Sequence, residues 1–252
     1  MEVLLAVLVI TLVVANLVVF SCAARETFES KTKLTAIVLN YNRPHNIPKL
    51  ISRLETYDEI DEIIVLDGKP GNITNTDNYR KTRSVRDFDN NDKYGGARRF
   101  LYDKYQSDSV IFIDDDIIPP QSMVREMLKH INNGSLLVGP VGRICNKHGY
   151  GDQNTAIPRA RPDTVLTGAC MVPMKVLVGY RREFWRTYEP FLRTTHGNGE
   201  DLSMNHYIRT KLGKLPTVIK NDIENTDTSN GYSSNPDHYK VRDRICRELF
   251  YS

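Results

Sequence analysis

Residues 110–120 read V-I-F-I-D-D-D-I-I-P-P, and this stretch decides the fold. Four apolar residues with no polar alternation form the pattern of a short strand buried on both faces. Three carboxylates, Asp114, Asp115 and Asp116, follow where such a strand leaves its sheet. In open α/β sheets ligands gather beyond the carboxyl ends of the strands. Adjacent acids repel one another, and a bound cation relieves that repulsion. A solvated acidic turn, a helix N-cap cluster, a phospho-acceptor and a phosphatase nucleophile are the other readings this stretch allows on its own.

Working outward, L-T-A-I-V-L (34–39) is a second buried strand, running into the polar loop Asn40–Pro44. Apolar residues at 47, 50, 51 and 54 have helical spacing, and I-D-E-I-I-V-L (60–66) is a further strand ending at Asp67. Strand, helix, strand is a βαβ unit, so an α/β fold with a parallel sheet is expected here. Residues 71–96 read as a long surface loop, and 96–105 as a helix feeding the acidic strand. Met123, Met127, Leu128 and Ile131 mark a helix closed by Asn133-Gly134. Strands are expected at 136–141, at 165–172 and, shorter, at 215–219, with an irregular segment over 146–163. Within 165–172, Gly168 signals close backbone approach. Trp185 and Tyr188 read as packing in the core or against an acceptor cleft. Residues 196–205 pass from a Gly-rich turn into the acid pair Glu200-Asp201 at a helix start, where plain capping is the simple alternative. A turn at 230–233 precedes a last helix, 236–250, bearing His238, Arg242, Arg244 and Arg247.

The bulk numbers fit one sizeable core: 252 residues, 40% hydrophobic and 26% charged. A net charge of +3 gives no case for nucleic acid. Residues 3–24 carry no charge, and as a helix they would reach about 33 Å, enough to cross a bilayer core. We therefore expect a single-pass membrane anchor over 1–24 rather than a cleaved signal peptide, a short stem over 25–33, and one catalytic domain over 34–252. Arg25, Lys31 and Lys33 after the span favour a cytosolic domain, whereas the sequons at Asn72 and Asn133 would be usable only in a secretory lumen. Cys22 lies in the span, and Cys145, Cys170 and Cys246 allow either one disulfide with a free thiol or three thiols.

On a βαβ scaffold Asn40, Asn42, Arg43, Asp67 and the acid triplet fall at one sheet edge. A nucleotide would rest against the first two loops, with its diphosphate on a cation held by the acids. A hard ion, Mn²⁺ or Mg²⁺, takes one or two carboxylates and completes its shell with phosphate and water. Arg98, Arg99, Arg242 and Arg244 are available to neutralise a leaving group. A two-metal phosphatase or nuclease would need more ligands than the sequence supplies.

The ordered set T-A-I-V-L-N-Y-N-R-P, E-I-I-V-L-D, A-R-R-F, V-I-F-I-D-D-D, L-V-G-P-V-G-R, V-L-T-G-A-C, E-D-L-S-M-N and N-G-Y-S resembles the exostosin and exostosin-like glycosyltransferases, over roughly residues 34–250. The resemblance implies a GT-A fold, a UDP-N-acetylhexosamine donor, Mn²⁺ and transfer to a glycan or glycoprotein acceptor with retention of configuration. It implies Asp116 as metal ligand, Asp114 and Asp115 on ribose and nucleotide, and Asp201 near sugar and acceptor. Arg98 and Arg99 map loosely onto a family arginine, and His238 and Arg242 onto residues near the diphosphate. It also implies an endoplasmic reticulum or Golgi membrane location. Two departures stand out: Gly199 replaces a family cysteine, leaving Cys246 without its expected partner, and Asp243 replaces an arginine. A GT-A-fold glycan-binding or scaffold protein without activity is the alternative.

Overall fold

In the computed structural model the described residues are 32–146, 149–151, 162–227 and 235–251, all within the compact unit Lys33–Ser252 apart from Thr32. The expected anchor, Cys22 and the 230–233 turn lie outside them. Among the described residues no helix is long and apolar enough to cross a membrane.

Strands β1 (Leu34–Asn40), β2 (Glu62–Asp67), β3 (Thr82–Arg86) and β4 (Ser109–Ile113) come first along the chain. The two-residue β5 (Ile117–Ile118), β6 (Val138–Gly139), β7 (Gly142–Asn146), β8 (Gly149–Gly151) and β9 (Thr164–Val165) follow, then β10 (Ala169–Pro173), β11 (Thr217–Val218) and β12 (Glu224–Asn225). Seven of them form one sheet in the order β11-β6-β10-β4-β1-β2-β3. β1 to β4 run parallel, as the βαβ pattern requires, while β10 lies antiparallel between β4 and β6. The expected strand over 165–172 is thus two pieces, β9 and β10, separated by a turn at Thr167-Gly168. Gly168 is where the backbone comes close: a Cβ there would lie 2.8 Å from Asp114 Oδ2, and the Gly168 carbonyl accepts the Asp114 amide at 2.7 Å.

β1 is buried along its whole length because both faces of the sheet are covered. Ala36, Val38, Ile111 and Ile113 pack with α1 (Ile47–Glu55) and, further along the chain, the helix Gln121–Asn132, whereas Ile37, Leu39 and Phe112 pack under Phe100, Val176, Leu177 and Tyr180. Each such side chain taken from water contributes about 1.5–3 kcal/mol. The remaining helices are α2 (Phe88–Tyr94), α3 (Arg98–Leu101), α4 (Gln121–Asn132), α5 (Met174–Glu183), α6 (Glu189–Thr194), α7 (Glu200–Leu212) and α8 (His238–Tyr251). A π-helical turn, Phe184–Tyr188, joins α5 to α6.

Several expectations need correction. The supposed loop 71–96 contains β3 and α2. The strand T-R-S-V-R was hidden by its charges, which suit a sheet edge: Arg83 pairs with Glu62 at 2.7 Å. The helix expected over 96–105 is only Arg98–Leu101, because Tyr102 turns extended. Trp185 is not core; it is 60% exposed. Cys246 is not unpartnered: it bonds to Cys145, with Cα atoms 5.6 Å apart, and Cys170 is the free thiol among the described residues. The bridge ties α8 to β7 within a small apolar cluster with Leu202 and Ile245.

Candidate active site

The carboxyl ends of β1 and β4 open into a cleft of about 910 Å³, walled on its far side by the starts of α7 and α8. The parallel register puts Asn40 opposite Asp67 and aligns Val38 with Ile113, so the loop after β1 and the acid triplet face each other directly.

The triplet is neutralised by the protein's own arginines. Arg43 donates Nε to Asp115 Oδ1 at 2.7 Å and lies 2.9 Å, through Nη1, from Asp116 Oδ2. Arg99 reaches Asp114 Oδ1 at 2.6 Å through Nη2 and the Thr167 carbonyl at 2.6 Å through Nη1. A cation is therefore not the sole means of holding the three acids together, contrary to the reading from sequence. Their duties differ. Asp115 is buried and also accepts the Tyr41 and Arg43 amides at 3.3 Å, so it shapes the loop after β1. Asp114 and Asp116 are partly open to the cleft. Burial, and then Asp114, push the Asp116 carboxyl up to about 6.

Asn40 and Asp67 lie behind this surface. Asn40 Nδ2 donates to Asp67 Oδ1 at 2.8 Å, and Asp67 accepts the Thr74 hydroxyl and amide at 2.7 and 3.0 Å. Both are buried and brace the 72–74 segment rather than line the cleft. Asn42 lines it, accepting Lys69 Nζ at 2.6 Å. Arg98 lines it too, almost wholly buried between Asp87, at 3.7 Å, and the Asn40 carbonyl, at 3.3 Å. Burial pulls its pKa down to about 10, and Nε and Nη1 make no hydrogen bond.

The far wall is organised around a sealed ion pair. Asp201 and Arg242 are bonded through Oδ2 and Nη2, and both are nearly inaccessible. Asp201 Oδ1 takes the Leu202 amide at 2.8 Å, while Arg242 reaches the Tyr150 hydroxyl at 3.2 Å and stacks over its ring at 4.5 Å. Burial works against the Arg242 charge, but Asp201, Tyr150 and Glu200 outweigh it and raise its pKa. His238, on the same helix, is pushed down to about 4 by burial and by the Arg242 charge, so it is neutral at pH 7. Arg244, by contrast, pairs with Glu248 on the exposed face of α8 and does not line the cleft.

Of the cleft residues that escaped the reading of the sequence, one bears directly on the chemistry. Glu200, the first residue of α7, lines the cleft with Oε1 3.2 Å from the Thr167 hydroxyl. Burial, and then the Asp201 charge, push its carboxyl up to about 7. The acid pair was legible; which member takes the arginine and which faces the cleft depends on α8, far along the chain. The rest of E-D-L-S-M-N fastens α7 in place: Asn205 brackets Val165 with two hydrogen bonds of 3.0 Å, and Ser203 meets Tyr180 at 2.6 Å.

Among the described residues no group of three or more His, Cys, Asp or Glu side chains converges to hold a metal ion. The donor set fits instead the way Mg²⁺ or Mn²⁺ sits in phosphate sites, on one or two carboxylates with the rest of the shell from substrate and water. Asp116 and Asp114 are the candidates.

With this geometry in view, the similarity to known proteins can be read. A sequence model of glycosyl transferase family 2 matches residues 35–188, from β1 through the π-helical turn. The chain belongs to glycosyl transferase family 2. That match overturns the exostosin resemblance. Retention of configuration, implied by that resemblance alone, loses its basis. The chain aligns at a TM-score of 0.54 and 17% identity with TarS of S. aureus in complex with UDP-GlcNAc, over 84% of this chain and 65% of that one. It aligns at 0.51 and 13% with a mannosyltransferase from Pyrobaculum calidifontis in complex with GDP-Man and Mn²⁺, over 77% and 56%. The chain thus spans less than two thirds of either. These likenesses establish the GT-A-like α/β fold; the glycosyltransferase assignment comes from the family. No curated protein matches the chain.

Proposed function

We propose that the cleft binds a nucleoside-diphosphate sugar, with UDP-sugars the first class to test, and transfers the sugar to a hydroxyl of a glycan acceptor. One observation carries this reading. Asp114 and Asp116, partly neutralised by Arg99 and Arg43, face Glu200 and the Asp201–Arg242 pair across a single cleft. The solved likenesses in complex with UDP-GlcNAc and with GDP-Man and Mn²⁺ support the donor class and the ion.

Asp116 and Asp114 would hold the divalent ion, which when bound acts as a Lewis acid on the departing diphosphate. Arg43 and Arg99 then keep the rim near neutrality, and Arg98 adds a buried positive charge beneath the donor. Glu200 takes the proton of the acceptor hydroxyl on its carboxylate as the acceptor oxygen bonds to the anomeric carbon and the sugar–phosphate bond breaks. A base poised near pH 7 suits that task. Asp201, its charge fixed by Arg242, raises the Glu200 pKa and holds the start of α7 at its station.

The test is nucleoside-diphosphate release from a panel of UDP- and GDP-sugars with Mn²⁺ and simple saccharide acceptors. Acceptor-dependent release from one donor is expected. Tight donor binding with no release from any donor would instead favour a binding protein on a transferase fold.

A further inference from the structure

Two features beside the helical wall of the cleft are not used by the transfer chemistry: Trp185, which stands outside the cleft lining, and His196, which is part of it. The first is Trp185, the single tryptophan of the chain, which is 60% exposed although it stands on the aromatic core. It sits in the π-helical turn, a conformation that recurs at functional sites. Its ring lies 5.1 Å from Phe184 and 6.0 Å from Tyr94. An indole left in water forgoes burial worth several kcal/mol unless something covers it.

The second is His196. It is exposed, lines the cleft, and is the one non-glycine residue with positive φ (49°) among the described residues. A non-glycine residue held there costs on the order of 1–3 kcal/mol, and such outliers cluster at ligand sites. The strain is imposed by a backbone crossing: a Cβ on Gly197 would lie 1.9 Å from the Tyr94 carbonyl oxygen, and one on Gly95 would lie 2.3 Å from that of His196. Tyr94 therefore joins the two features, touching Trp185 with its ring and Gly197 with its backbone. Gly95, Gly96, Gly197 and Glu200 continue the same surface into the cleft.

We propose that this rim, Trp185 and His196 bridged by Tyr94, is the acceptor subsite, with a pyranose ring stacking its apolar C–H face on the indole. The ring beyond the reacting hydroxyl lies on Trp185, and the imidazole of His196 hydrogen-bonds a hydroxyl nearer Glu200. This inference rests on the transferase reading above.

Because Trp185 is the only tryptophan, its fluorescence reports on this site alone. The probes are cellobiose, lactose, maltose and di-N-acetylchitobiose, titrated into the full chain with Mn²⁺ and UDP present. At least one should quench or blue-shift the emission saturably. In turnover, Trp185→Ala should raise that saccharide's KM about tenfold, the loss of roughly 1.4 kcal/mol of stacking, with kcat little changed. Trp185→Phe should restore much of the difference, and His196→Ala should raise the same KM. Unchanged emission with all four sugars, or an unchanged acceptor KM in Trp185→Ala while the wild type turns over, overturns the subsite and leaves the transferase reading standing. Absence of donor turnover with every sugar would count against the transferase reading itself.

Discussion

The two walls of the cleft handle charge in opposite ways. On the sheet side, Arg43 and Arg99 pair with acids that keep a partly open face, 19% for the Asp116 side chain and 33% for Asp114. On the helical side, Asp201 and Arg242 are sealed, at 3% and 6%. Half-open pairs can trade partners with an incoming ion or phosphate. A sealed pair cannot do so cheaply, because separating it strands a charge in a low-dielectric interior. The first wall is therefore built to exchange partners, the second to stay fixed.

Breaking the sealed pair should have the largest effect on stability. Arg242→Ala leaves Asp201 buried without its partner and should cost about 3–5 kcal/mol, read as a lower urea midpoint. Asp201→Asn combined with Arg242→Met should recover most of that loss; if the double variant is no better than the single one, the pair is not acting as a unit. The disulfide braces the same wall from behind, four residues along α8 from Arg242. Cys145→Ser with Cys246→Ser should cost about 2–4 kcal/mol by the same measurement. On the open wall, Arg43→Gln takes the guanidinium from the buried Asp115 and should cost about 1–3 kcal/mol. It should nevertheless tighten Mn²⁺ binding severalfold, since the rim loses a competing positive charge; weaker Mn²⁺ binding would contradict the exchange of partners.

Between the walls, Glu200 supplies a pH signature. Its folded pKa of about 7 lies above the ordinary glutamate value of 4.5. Its contribution to stability is therefore full below about 4.5 and lost as pH rises through about 7. Activity runs the other way, since a proton acceptor must be ionised: kcat/KM should climb through about pH 7. Glu200→Gln should flatten both profiles and lower kcat about 10²–10⁴-fold. A rate limb near pH 7 that survives in the variant would assign it to another group.

Much of this was legible in the chain. The buried strands 34–39, 60–66 and 110–113 and the helices after residues 47 and 121 announced themselves by period, and the acids fell at the sheet edge because strand ends place them there. Less could be read where a residue's role is set by partners distant in sequence. Asp67 and Asn40 turned inward to brace 72–74 rather than outward to the cleft, a choice made by Thr74. β3 escaped because an edge strand can be charged. The antiparallel insertion of β10 is invisible to hydrophobic pattern, which carries no strand direction. Whether Trp185 packs in the core, and whether Cys145, Cys170 and Cys246 hold one disulfide or three thiols, stayed open because exposure and disulfide pairing are properties of the packed structure, not of composition.

The central claim, that the acid rim receives a nucleotide sugar through a divalent ion, is tested most directly by calorimetric titration of UDP with and without Mn²⁺ into the wild type and Asp116→Asn. The account predicts tight binding only with Mn²⁺ and its loss in Asp116→Asn, with the fold intact by circular dichroism. Equal UDP affinity in Asp116→Asn, or with EDTA present, would contradict it.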